Sequence, residues 1–300
     1  GRKYVEKANA FGIPVEFWDK EKTAAALGTH AYEGALFDPG GGQVHPGKLV
    51  RVLKAAAESA GAEIYENTVV THIEEGPVHR IETASGRTVK AKSLVLATNV
   101  YSSKLGYLRR AVAPFFDYVG MTPPLSESLL SEIGWKSRIP FNDSRTEVYY
   151  LGLTRDNRIH IGGGPVDYRF NNGLAEPGVA RRGYERILGE LVRVFPKLAG
   201  TPFETTWIGA VDMSLDGSPA IGVMGKHRNV YYGIGFSGHG VSLTSLFGRI
   251  IADLHDSRGE QWSWLPFLNR LPPYIPNEPF RWLGIRTSLE YYRLTDPKTP

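Results

Sequence analysis

The residue types and spacing best suited to chemistry occur in one segment. It reads Val230-Tyr231-Tyr232-Gly233-Ile234-Gly235-Phe236-Ser237-Gly238-His239-Gly240 and runs directly into Val241–Leu254. Val230–Tyr232 predicts a buried strand, and Val241–Leu254 carries apolar residues at helical spacing. The glycines between them let the backbone turn sharply and approach a ligand closely. A helix that starts there points free N–H groups and a partial positive charge into the turn. Such a place suits an anionic or electron-rich group. Gly233-x-Gly235-x-x-Gly238 matches the letters of the dinucleotide fingerprint. That fingerprint also needs a strand after the helix, ending in an acid about 20 positions on. Here the helix ends at Asp253 and Asp256, and Trp262-Ser263-Trp264-Leu265-Pro266 opens a proline-rich tail. The motif is therefore read as a helix N-terminus without a complete βαβ unit. The bland alternative is a turn that only packs a strand on a helix.

The elements that position this segment follow from periodicity. Ala8–Leu27 predicts the end of one helix, an extended piece at Ile13–Trp18 and a second helix. Pro46 suits a helix start, and Leu49, Val50, Leu53, Ala56 and Ala57 predict its apolar face up to Gly61. Ala62–Tyr65 and Thr68–Ile73 predict strands. Val78–Ala84 and Arg87–Ala91 predict a hairpin around Ser85-Gly86. Ser93–Thr98 resembles a buried parallel strand. From Ala111 to Thr206 aromatic and polar residues alternate, which predicts an antiparallel sheet with one face open. Pro177–Phe195 predicts an amphipathic helix, and Pro202–Val211 a returning strand. The expected class is mixed α/β. Residues 1–110 and 207–258 form a discontinuous cofactor domain, 111–206 a substrate domain, and 259–300 a tail that wraps over the body.

Composition excludes several classes. The chain has 300 residues, enough for an ample core. Its net charge is +4, with no Lys/Arg block of the kind that binds nucleic acid. It contains no cysteine, so disulfides, thiolate metal sites and Cys nucleophiles are excluded. No apolar run approaches the roughly 18 residues of a membrane span. The expectation is a soluble, cytoplasmic protein without a metal. Residue 1 is Gly, and Arg2–Ala10 reads as helix without a cap, so the chain is expected to begin after the start of its gene.

Several motifs occur in a telling order: Val44-His45-Pro46-Gly47-Lys48-Leu49, Gly61-Ala62-Glu63-Ile64 with Thr68-Val69-Val70, and Leu94-Val95-Leu96-Ala97-Thr98-Asn99. Trp207-Ile208-Gly209, Asp216-Gly217-Ser218-Pro219-Ala220-Ile221-Gly222 and Gly233–Gly240 follow. Over about residues 10–255 the chain resembles the FAD-dependent amine and amino-acid oxidases of the D-amino-acid oxidase, glycine oxidase and sarcosine oxidase type. Within these it most resembles the gamma-glutamylputrescine oxidoreductase-like branch. The resemblance implies an FAD-binding, Rossmann-like domain of the glutathione-reductase type with an inserted antiparallel-sheet substrate domain. It implies FAD as cofactor and a small amine or amino acid as substrate. The family opens with its own strand–Gly-x-Gly-x-x-Gly–helix, which this chain lacks. The resemblance thus leads to the expectation of an N-terminally incomplete fold, with the missing unit supplied by a preceding segment or a partner chain. Residue by residue, Val70 falls where the family contacts adenine. Ala97 and Thr98 fall near the pyrophosphate and ribitol. Gly235, Phe236, Ser237, Gly238, His239 and Gly240 fall along the flavin ring.

The implied reaction removes a hydride from the carbon beside an amine and gives an imine. His239 is a candidate catalytic and cofactor-bordering residue, against the alternative of a backbone-bonded turn residue. His45 is a second candidate to face the cofactor. Tyr150, with Tyr149 and Tyr168, is either part of an aromatic cage for an ammonium or ordinary sheet packing. Trp207 lines the pocket or the core, and His160 reads as structural. Arg155, Arg158 and Arg169 fit either a substrate carboxylate or the surface. Two rival classes remain: a flavoprotein piece that acts only as a binding module, and a serine hydrolase. For the latter, Gly235-Phe236-Ser237-Gly238-His239 resembles a nucleophile elbow, but His255, the one later His, lies at the far end of the helix, about 25 Å away.

Overall fold

A computed structural model describes residues 1–174 and 180–296. In chain order the helices and strands are α1 (Arg2–Ala10), β1 (Glu16–Asp19), α2 (Lys20–Leu27), β2 (Gly34–Phe37), α3 (Pro46–Ser59), β3 (Val70–Glu74), β4 (His79–Thr83), β5 (Thr88–Ala91), β6 (Leu94–Leu96), β7 (Ala113–Met121), α4 (Glu127–Ile133), β8 (Phe141–Asn142), β9 (Tyr149–Leu153), β10 (Ile159–Gly163), β11 (Asp167–Tyr168), α5 (Ala180–Val194), β12 (Thr205–Met213), β13 (Ala220–Met224), β14 (Val230–Ile234), α6 (Gly240–His255) and α7 (Phe280–Thr295). The mixed α/β class is as expected. No described helix is long and apolar enough to cross a membrane.

A small mixed sheet carries the Gly-rich turn. Its order is β13-β14-β6, with β14 antiparallel to β13 and parallel to β6. Every residue of β14 is buried, as its unbroken apolar run predicts. The parallel register pairs Val230 with Leu94 and Tyr232 with Leu96. β6 forms the edge, and Val95 is 48% exposed there, so this strand is less buried than its sequence suggests. After α6 the chain makes a short 3-10 turn at Gly259–Trp262, and no described strand follows. β3, β4 and β5 form a separate antiparallel meander. The β4–β5 turn uses Gly86 at positive φ, as Ser85-Gly86 implies. Ala62–Tyr65 is not a strand. Its four residues are exposed with no strand beside them, so the local alternation has no ladder to join.

The antiparallel sheet is the main core. β12 pairs with β7 along its whole length, from Thr205 opposite Met121 to Met213 opposite Ala113. The other edge of β7 takes β10 and then β11, and β9 and β8 extend the sheet beyond β10. Tyr118, Leu151, Ile159 and Ile161 point to one face, where Ile187, Leu191 and Val194 of α5 cover them. The expected start of that helix at Pro177 lies outside the described residues; its expected end at Phe195 is one residue beyond α5. Because β12 continues to Met213, it straddles the expected boundary between 206 and 207. The amino-terminal region also crosses that division. Leu27 belongs to the same core cluster, and the Thr29 hydroxyl donates to the Val194 carbonyl at 2.6 Å.

Two regions differ from expectation in burial. α3 forms between Pro46 and Ser59 but buries none of its residues. Val50 and Leu53, expected on a buried face, are 64% and 50% exposed because no described element covers them. The tail does wrap back. Asn269 Oδ1 accepts from Val223 N–H, and Asp296 accepts from the N–H groups of Thr146 and Glu147. It also forms α7, which the proline-rich sequence before it obscures.

Behind the sheet, Glu190 receives Arg145 and Arg193, and Asp143 also pairs with Arg145. Burial alone would raise the Glu190 carboxyl, but the bonds from Arg193 and Arg145 outweigh it and hold it below the usual range. A lowered carboxyl contributes stability above its unfolded value, near 4.3, and loses it as pH falls through the folded value. Glu190→Gln is therefore expected to destabilise the protein most at neutral pH, by about 3 kcal/mol. The gap to the wild type should close toward pH 3 in urea unfolding.

Candidate active site

The Gly-rich turn is fastened to the end of β12. Asp212 is 2% exposed, and its Oδ2 accepts the Gly235 N–H at 2.6 Å. Its backbone carbonyl accepts the Ser237 N–H at 3.1 Å. Ser237 Oγ in turn accepts the Ser214 N–H at 3.2 Å. Burial raises the Asp212 carboxyl, against the N–H bonds of Gly235 and Phe236. Gly235 has φ +76°, and Ser214 Cβ and the Ser218 carbonyl would each lie 3.3 Å from a Cβ there. Both its conformation and its crowding demand glycine.

Gly238 is the opposite case. Its φ is +92°, yet no protein atom lies within 4 Å of where its Cβ would be. His239 follows at the N-cap of α6 with an exposed ring and no side-chain cap bond. The N–H groups of Gly238, Gly240, Val241 and Ser242 have no backbone acceptor among the described residues. A row of free donors thus stands at the start of a 16-residue helix, beside open space. This is a fitting cradle for a group that develops negative charge.

Ala97 and Thr98 follow β6, and Gly235–Gly240 follow β14. These strands are adjacent and parallel, so both segments leave the sheet at the same end, where open α/β sheets bind ligands. Ala97 is exposed, and Thr98 Oγ1 lies 2.8 Å from Ser102 Oγ. Val70 opens β3 on the separate meander. His45 caps α3, its Nδ1 accepting the Lys48 N–H at 3.3 Å. Ser237 and His255 lie at opposite ends of α6, and His255 Nδ1 is engaged with Asp256 at 3.0 Å.

The second face of the antiparallel sheet is partly open. Register and alternation place Asp117, Tyr150, His160, Trp207 and Gly209 on it. Tyr150 Oη donates to Asp117 Oδ2 at 2.8 Å, and Gly163 N–H donates to Oδ1 at 2.9 Å. Tyr150 lies across Gly162, where any Cβ would overlap its ring. Burial, with Asp117 beside it, pushes the Tyr150 phenol far above its ordinary value, so it stays a neutral donor. Burial raises the Asp117 carboxyl, against the Tyr150 and Gly163 bonds. It lowers His160, which favours the neutral ring. His160 Nε2 and Gln43 Oε1 converge over Gly152, where a Cβ would clash with both. The loop before α3 therefore reaches onto this face.

Comparison with known proteins gives the family. Residues 2–254 match the profile described as DAO, FAD dependent oxidoreductase. The chain belongs to this family. It is 32% identical over 272 residues to "Gamma-glutamylputrescine oxidoreductase" of Escherichia coli K12, covering 89% of the chain and 58% of that protein. It is 27% identical over 288 residues to "Probable oxidoreductase OrdL" of Haemophilus influenzae, covering 94% and 63% respectively. The chain thus spans about three fifths of the length of these curated relatives. Its fold is that of glycine oxidase from Geobacillus kaustophilus, with a TM-score of 0.76 at 24% identity over 92% of this chain and 71% of that one.

Sequence reasoning missed Asp117, Asp212 and Gln43. The two acids carry a signal, each being the one charged residue in a nine-residue strand. Gln43 acts through a loop, which periodicity does not reach.

Two variants probe the turn. Asp212→Ala leaves the buried Gly235 N–H without its acceptor, and urea unfolding should show a loss of about 1–3 kcal/mol. Gly238→Val introduces a positive-φ strain of about 1–2 kcal/mol, while no protein atom lies within 4 Å of its Cβ. It should abolish flavin retention while far-UV dichroism stays nearly intact. Normal flavin content in that variant removes the site.

Proposed function

We propose that this chain forms the flavin-ring and substrate side of an FAD-dependent oxidoreductase acting on a CH–NH donor, an amine or amino acid. The observation that carries this reading is the set of free N–H groups of Gly238, Gly240, Val241 and Ser242, at the shared end of β14 and β6. When bound, FAD supplies hydride acceptance from the carbon beside the donor nitrogen.

The chain's own residues would supply placement and field. The donors at the start of α6 would stabilise negative charge at the ring's edge. Ala97 and Thr98 would border the cofactor from the neighbouring strand end. His239, exposed beside Gly238, would border the ring or the substrate. Tyr150 would donate a hydrogen bond from the open sheet face. The substrate nitrogen must be neutral when its carbon loses hydride. We assign the grip on the pyrophosphate to a further strand–helix unit. The exposed edge of β6 and the uncovered α3 leave room for it.

The test is the visible spectrum of the purified chain with FAD, alone and with the strand–helix unit of a relative supplied separately. The expected result is a bound-flavin spectrum that an amine or amino acid bleaches anaerobically. Flavin that binds but resists every such donor rejects the CH–NH assignment. Absence of a flavin spectrum under both conditions rejects the cofactor assignment for this chain.

A further inference from the structure

The C-terminal helix α7 has a fixed inward side. Arg281, Ile285, Leu289 and Tyr292 recur at helical steps and turn toward the body. Arg281 and Leu289 are buried, and Ile285 packs with Ala113, Tyr168 and Ile275. Both ends of the helix are fastened. At its start, Glu278 accepts the hydroxyl of Tyr168 on β11 at 2.5 Å and the Trp282 N–H at 2.8 Å. At its end, Asp296 accepts the N–H groups of Thr146 and Glu147, just before β9. The opposite side of α7 is thereby held outward.

A helix side that meets only water is expected to be polar. Here Phe280, Leu283, Tyr291 and Leu294 are 71%, 57%, 61% and 77% exposed. With the small Thr287 they recur at steps of three and four along the helix, so they form one stripe with the spacing of a helix-pairing seam. Among the exposed residues of this 16-residue helix, Arg286 and Glu290 are the charged ones. Glu290 Oε1 accepts from Arg293 at 2.5 Å, which leaves acceptor capacity on its carboxylate. Arg286 lies over the Trp282 ring, 5.7 Å from its centroid, and has no carboxylate partner among the described residues.

We propose that this stripe pairs antiparallel with α7 of a second copy of the chain, giving a two-fold dimer. The charges select both the occupant and the direction. In an isologous contact each residue meets the same surface of the other copy. A parallel pair would set Arg286 against Arg286 and Glu290 against Glu290. An antiparallel pair that sets Leu283 of one helix against Leu294 of the other also sets Thr287 against Glu290. Arg286, one position earlier, then comes beside that same carboxylate, and the two-fold axis repeats the ion pair. The stripe is thus complementary to itself in apolar surface and in charge. An anionic lipid surface would instead call for an excess of cations, and the one exposed cation of α7 is balanced by one acid.

Sedimentation equilibrium of the chain tests the pairing. One helix pair buries less than a standard interface, so half-dimerisation is expected at roughly 10–100 µM, within a range of about 1–300 µM to be scanned. Leu283→Glu places a charge in the seam and should leave a monomer with unchanged far-UV dichroism. Arg286→Glu turns both ion pairs into like-charge contacts and should weaken the dimer about tenfold. Adding Glu290→Arg to that variant should restore the dimer by exchanging the partners. The chain contains no cysteine, so single introduced thiols report the direction of pairing. Under mild oxidation, chains carrying Leu283→Cys should crosslink to chains carrying Leu294→Cys more than like chains crosslink to one another. A monomer at every concentration, a dimer that Leu283→Glu leaves intact, no recovery in the double variant, or preferred crosslinking of like chains overturns the proposal. A monomer that floats with vesicles of phosphatidylcholine and phosphatidylserine also overturns it and assigns the stripe to a lipid surface.

Discussion

The hydrogen bonds around Asp212 are the constraint on which the rest of the site depends. This buried carboxylate belongs to the antiparallel sheet through β12, yet its partners are N–H groups of the Gly-rich turn. The turn is the end of the other sheet. Without that fastening, the direction of β14 would leave the start of α6 free to swing, and its donors would face no defined place. A charged or strongly polar acceptor buried with its donors is costly to leave half-satisfied. The register between the sheets is thereby held by electrostatics as well as by apolar packing.

Glycine does two different jobs around this junction. In the turn it supplies backbone conformation, as Gly235 and Gly238 show through their positive φ. On the sheet it supplies absence. Gly162 makes room for the Tyr150 ring, and Gly152 for Gln43 and His160. Both sheet positions would accept an alanine on backbone grounds but not on steric ones. The shape of the open face is therefore written in missing side chains, which lets polar groups lie flat against a sheet instead of standing off it.

Much of this was legible from sequence where local signals and burial agree. The buried run Val230–Tyr232, the helix after Gly240 and the hairpin at Ser85-Gly86 all formed as periodicity and turn chemistry imply. The legibility failed where tertiary context decides. Ala62–Tyr65 has strand-like residues but no neighbour to pair with, and α3 has an apolar stripe with nothing described against it. The division between domains was obscured because β12 serves both. Its β7 pairing belongs to one sheet and its Asp212 to the other's turn. In the site, Gly235–Gly240 announced themselves by composition. Asp117 and Tyr150 meet only through register, since β7 and β9 are both neighbours of β10, and no short motif joins them.

The pairing of β7 with β12 has a consequence for how the chain is assembled. Leu94 and Val230 are far apart in sequence, and bringing them together as parallel neighbours carries a loop-closure penalty that rises with the length enclosed. The antiparallel pair sets Ala113 directly opposite Met213. Once that ladder exists, the long insertion is already closed at its neck. Only the short stretches from Leu96 to Ala113 and from Met213 to Val230 remain for the parallel strands to span. The antiparallel sheet acts as a topological clasp: it converts a distant encounter into a nearly local one, and the ends of β6 and β14 meet because that sheet has drawn them together.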